Sequence, residues 1–112
     1  MKNNRNQLDL IPHRLREWEK GENSKIVLLV PKLRGKRLGK WLLSKLKRPY
    51  YKVRLDDFGS FIWEQCDGTK TVREIALSLK DKFGQNVEPV FDRACLFLDK
   101  LETGRFISYQ NL

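Results

Sequence analysis

Between residues 58 and 101 apolar side chains recur at spacings of three and four, and glycine-marked breaks divide the recurrence into three stretches. That rhythm is the period of helices with one buried face, and it predicts three helices in succession. The first presents Phe58, Phe61, Ile62 and Cys66 on one side, with Asp56 or Asp57 placed to cap it. Asp67-Gly68 then reads as a turn. The second opens on Thr71-x-x-Glu74, a capping box in which hydroxyl and carboxylate each satisfy a free amide of the first turn. Its inward positions are Val72, Ile75, Ala76, Leu79 and Phe83, and Gly84 suits its C-terminal stop. The third starts near Glu88 with Pro89 in its first turn. Val90, Ala94, Phe97, Leu98 and Leu101 form its inner face, and Gly104 ends it. Arg105–Tyr109 reads as a short final strand.

The half before residue 56 has a different grain. Lys25–Val30 is short, rich in β-branched residues and stopped by Pro31, which predicts a strand. Tyr50–Leu55 alternates, with Tyr51, Val53 and Leu55 on one face and Lys52 and Arg54 on the other. That is the pattern of a half-buried strand. Arg14–Glu19 is a further strand candidate, followed by a turn over residues 20–24. Residues 1–13 read as an arm or a weak first strand, and residues 14–112 as a single domain with a basic insertion at 32–49. The fold expected is α+β with segregated elements: a small antiparallel three-stranded sheet followed by a three-helix bundle. Its outline is that of a winged helix-turn-helix with the sheet placed first. A chain of 112 residues buries about two thirds of its unfolded surface, enough for one modest core.

Charge is as unevenly distributed as structure. The chain carries 23 Lys and Arg against 14 Asp and Glu, a net charge of +9. Residues 31–54 hold ten basic residues and no acidic one, and everything else holds thirteen basic and fourteen acidic residues. Within the insertion Leu38, Trp41, Leu42 and Leu46 fall at helical spacing. Arg34, Lys36, Arg37, Lys40, Lys45, Lys47 and Arg48 surround them, giving an accessory basic surface that includes Trp41. Three readings of this short amphipathic helix stand side by side. It folds its apolar side onto the domain, it binds an acidic protein or peptide, or it rests on an anionic membrane surface.

A basic chain with this outline raises nucleic acid as a partner. Glu88–Thr103, the would-be recognition helix, carries four acidic residues against Arg93 and Lys100. Phosphate attraction dominates such binding, so an acidic helix argues against specific groove readout. A winged-helix nucleic-acid-binding protein using the basic insertion stands as the alternative, as does an orphan scaffolding module docking through it.

The inventory offers little for catalysis. His13 is the only histidine, Cys66 and Cys95 fit no zinc spacing and sit in apolar company, and no nucleotide-binding glycine loop is present. The expectation is no enzyme, no metal and no cofactor. Apolar runs such as Ile26–Val30 are far too short to span a bilayer, and MKNNRNQLDL has no apolar signal core. The expected compartment is the cytoplasm.

One stretch carries a family resemblance. Leu55-Asp56 leads into the first helix, followed by Gly59, Ile62-Trp63, Cys66-Asp67-Gly68, Thr71-Val72 and Glu74-Ile75, with Gly104-Arg105-Phe106-Ile107 at the end. This order resembles the PqqD family, small proteins of pyrroloquinoline quinone biosynthesis and related peptide-recognition elements of ribosomally made peptide pathways. The resemblance covers roughly residues 50–108. The basic insertion is not part of the minimal family pattern, and Asp56 stands where the family often has Asn. The resemblance implies a non-catalytic chaperone that presents a precursor or leader peptide to a modifying enzyme, commonly a radical S-adenosylmethionine enzyme. It also implies that the peptide adds as a strand beside the third strand and lies against the third helix. Carried onto this chain, the site residues are Tyr51, Lys52, Val53, Arg54 and Leu55 on the strand, with Arg93, Phe97, Lys100 and Leu101 on the helix. An uncovered strand edge also pairs between copies, so a homodimer is compatible with the same feature.

Overall fold

The computed structural model describes residues 6–31 and 50–111. The amphipathic helix expected in the insertion, with Arg34, Lys36, Arg37, Lys40, Trp41, Lys45, Lys47 and Arg48, lies outside the described residues. The fold is α+β, with a three-stranded antiparallel sheet and three helices. The chain divides after Leu15 and again after Asp56 into two compact units, one built mainly of strands and the other mainly of helices.

The sheet unit contains β2 (Glu17–Lys20), β3 (Ile26–Pro31) and β4 (Tyr50–Arg54), in the order β2-β3-β4. Central β3 is the apolar run, as expected of the strand with neighbours on both sides. Glu17 pairs with Leu29 and Trp18 with Leu28 across the first ladder; Leu28 pairs with Val53 and Val27 with Arg54 across the second. Paired residues share a face. One face therefore carries Trp18, Leu28 and Val53, and the other carries Glu19, Val27 and Arg54. The link from β2 to β3 is tight: the Gly21 amide donates to the Lys25 carbonyl at 2.7 Å. Asn23 and Ser24 adopt the left-handed conformation, with φ of 59° and 61°, which short polar side chains tolerate better than most.

The helical unit contains α1 (Asp57–Gln65), α2 (Val72–Phe83) and α3 (Val90–Thr103). The capping box forms as the spacing predicts: Thr71 Oγ1 accepts from the Glu74 amide at 3.1 Å, and Glu74 Oε1 accepts from the Thr71 amide at 2.9 Å. Gly84 follows α2 at φ 70°, a conformation that costs glycine nothing. Pro89 is the residue before α3 and not part of its first turn. Ile62, Trp63, Val72, Ile75, Leu79, Val90, Ala94 and Leu98 are buried, each large aliphatic contributing about 1.5–3 kcal/mol. Phe97, expected on the inner face of α3, is only half-buried. An aromatic group joins all three helices: the Phe83 ring meets Phe58 edge-on at 4.7 Å, and the Arg93 guanidinium lies 4.8 Å from the Phe58 centroid.

Of the two readings of the N-terminal stretch, an arm or a weak first strand, residues 12–14 take the second. Residues 12–14 form β1 (Pro12–Arg14), paired antiparallel with β5 (Ile107–Tyr109) in a separate two-stranded ribbon. Leu10 is only 1% exposed, and its carbonyl accepts from the Val72 amide at 2.9 Å. Gln7 donates to the Asp99 carboxylate at 2.9 Å. Three-residue strands are too short to show a period, and their partners lie more than ninety residues away, so the local sequence gave no sign of the pairing.

Candidate functional site

β4 stands at an edge of its sheet, and among the described residues no strand pairs with its outer side. The strand extends through Leu55, whose amide donates to the Ile26 carbonyl at 2.9 Å. Alternation sorts its residues onto two faces as the sequence predicts, but the strand is not half-buried: residues 51–54 are exposed on both faces. Tyr51 and Val53 project on one face and are exposed, Tyr51 by 57%. Leu55 follows on that phase but is buried. Lys52 and Arg54 project on the other face and are exposed. Lys52 Nζ lies 3.3 Å from Glu19 Oε2.

The charged face of the sheet also holds an open pocket of about 380 Å³, lined by Gly21, Glu22, Asn23, Lys25, Val27, Lys52, Arg54 and Leu55. Three of the strand candidates thus meet around one space. Lys25 and the turn residues were absent from the sequence-based set. Their only sequence signal is register: Val27 opposite Arg54 brings the turn beside the end of β4, and register follows from pairing, not from the strand read alone.

The helix candidates belong to the other unit and do different things. Arg93 is engaged within that unit, stacked on Phe58 and donating to the Asn86 carbonyl at 2.8 Å. Leu101 is 6% exposed, so it supports the core and offers little surface to a ligand. Phe97 is half-buried and Lys100 exposed. Phe91 and Leu96 are exposed apolar residues on α3 that sequence reasoning did not single out.

The Cys-Asp-Gly stretch is built into the scaffold. The Asp67 carboxylate accepts from the Thr69 hydroxyl and amide and pairs with Lys70 at 3.2 Å. The Thr69 hydroxyl bond is the largest influence holding the Asp67 carboxyl down, to about 2. Gly68 takes φ 83°, and a Cβ there would collide with the Gln110 side chain. Cys66 is buried with its thiol donating to the Ile62 carbonyl at 3.2 Å, and burial pushes that thiol up to about 12. Both cysteines are free. Among the described residues no group of three or more His, Cys, Asp or Glu could hold a metal ion, and no helix is long and apolar enough to cross a membrane.

A three-stranded sheet, joined in sequence to a three-helix unit whose motif residues serve turns and caps, describes a small α+β module. The family model for coenzyme PQQ synthesis protein D (PqqD) matches residues 45–107, more than half of the chain, and the chain belongs to the PqqD family. Comparison with curated proteins and with solved structures returned no match. The family consists of non-catalytic accessory proteins, and membership gives the chain an accessory role in the biosynthesis of coenzyme PQQ or of related ribosomally made peptides.

Proposed function

We propose that the chain binds a precursor or leader peptide by strand addition to β4 and presents it to a modifying enzyme, as the family resemblance implies. The observation that carries this reading is the edge position of β4. An extended peptide gains affinity there from backbone hydrogen bonds and specificity from side chains on alternate faces. β2 forms the opposite edge, but the family match begins at residue 45 and so includes β4 and excludes β2. The enzyme's class, commonly a radical S-adenosylmethionine enzyme in this family, enters by resemblance alone.

Titration of the isotope-labelled protein with candidate precursor peptides from its own genome tests the reading. Amide shifts concentrated in Tyr51–Leu55 are expected. Saturating peptide that leaves those amides unmoved overturns strand addition at this edge.

A further inference from the structure

The pocket on the charged face of the sheet is a feature that backbone pairing alone does not use. Val27 and Leu55 are its apolar lining residues, both at least nine-tenths buried, and the 21–25 turn, Lys52 and Arg54 supply the rest. Three cations therefore border the space against a single carboxylate, that of Glu22. Lys52 already pairs with Glu19. Among the described residues no carboxylate stands within ion-pair distance of Lys25 or Arg54.

Cations beside a strand edge suit a carboxylate carried on a peptide: backbone pairing to β4 delivers the side chain and Lys25 and Arg54 receive its charge, whereas a free inorganic anion has the charges alone. A Cβ on Gly21 would lie 3.1 Å from Val27 Cγ2, so a larger residue there would crowd the turn.

The pocket also adjoins the edge at which a peptide would add. Lys52 and Arg54 lie two residues apart on one face of β4, and an added strand alternates with the same period. Its residues i and i+2 on that face therefore run alongside Lys52 and Arg54. Charged residues on edge strands commonly serve only to discourage aggregation, but that role calls for neither a pocket nor Lys25.

We infer that this pocket is a specificity subsite for acidic peptides. The segment that pairs with β4 carries an acid-x-acid pattern toward Lys52 and Arg54, and one of its carboxylates seats between Lys25 and Arg54. The inference rests on the strand-addition reading and names the class of peptide that reading would accept.

Three short dye-labelled probe peptides test it: valine alternating with glutamine, the same peptide with two glutamines replaced by glutamate at i and i+2, and the same with lysine at those positions. Anisotropy at low salt should show the glutamate probe binding about tenfold tighter than the glutamine probe, as two cross-strand ion pairs would give. The lysine probe should bind weakest, and the glutamate advantage should shrink as salt rises. Lys25→Gln and Arg54→Gln should each remove most of that advantage, and amide spectra unchanged outside the 21–25 turn and β4 verify that both variants remain folded. Equal affinity for glutamate and glutamine probes, with β4 amides shifting for both, overturns the subsite and leaves strand addition standing. An advantage that survives the Lys25→Gln/Arg54→Gln double variant overturns the pocket assignment. If no probe shifts any β4 amide, the subsite and strand addition at this edge fail together.

Discussion

Lys52 on β4 holds Glu19 on β2 at 3.3 Å, so their ion pair reaches over the central strand between them. Both side chains are about half exposed, and solvent-screened pairs of this kind contribute about 0–1 kcal/mol. Glu19→Gln should therefore change the unfolding free energy by no more than about 1 kcal/mol. It should also strengthen binding of an acidic peptide, because Lys52 loses its internal competitor. Urea melts and anisotropy titrations of the same variant check both halves. A large stability loss with no gain in binding would contradict the prediction.

Leu10 tests whether the N-terminal stretch is structural. It is almost wholly buried, and its neighbours Gln7, Asp9 and Ile11 bond to α3, α2 and the C-terminal residues. Leu10→Ala should cost about 2–5 kcal/mol, the usual range for emptying a buried leucine site. A free arm would show almost no change in the same denaturant titration.

Asp67 should impart a defined acid sensitivity. Its carboxyl lies at about 2 in the folded protein, below its ordinary 3.8, mainly through the Thr69 hydrogen bond. A lowered folded value means that the stabilisation is fully present above the unfolded value and is lost as pH falls through the folded one. The stability gap between the native protein and Asp67→Asn should thus be greatest above pH 4 and close toward pH 2. Parallel melts at stepped pH read this directly, and a gap independent of pH would refute it.

The two thiols should react in a fixed order. Burial is the main cause raising both, with Cys66 pushed up to about 12 and Cys95, half-buried, raised also by the Asp99 and Asp92 carboxylates. Thiolate is the reactive form. Native protein at mildly alkaline pH should be alkylated at Cys95 first, and at Cys66 only on unfolding. Mass spectrometry of a timed iodoacetamide reaction distinguishes the sites, and early labelling of Cys66 would show that its pocket opens.

Most of this architecture is legible in the sequence. Val72, Ile75, Ala76 and Leu79 repeat over enough turns to define a helix, and Thr71 with Glu74 marks its start because capping is a local interaction. Tyr51 through Arg54 alternates cleanly for the same reason: strand faces are set by neighbours two residues apart. Residues 105–109 read as a strand and residues 1–13 as an arm or a weak strand, but the pairing of β1 with β5 is not legible, since Pro12 finds Tyr109 across almost the whole chain. The pocket was hidden for a related reason. Arg54 could be named as a surface cation, but only the register of β3 against β4 brings Lys25 to the same space. Leu101 shows the opposite case. Its periodicity assigned it to the core and the family resemblance to a ligand surface, and its burial agrees with the periodicity.

The β1–β5 ribbon makes the helical unit discontinuous in sequence. Its first strand is supplied before residue 16 and the rest after residue 56. A fragment trimmed to residues 45–107, the span that family comparison would suggest for expression, would omit Leu10 and β1 and cut into β5. Such a fragment would lose the backbone partners of Val72 and Ile107. A piece able to fold as this unit does must keep the residues around Leu10 and β1 together with the whole of β5.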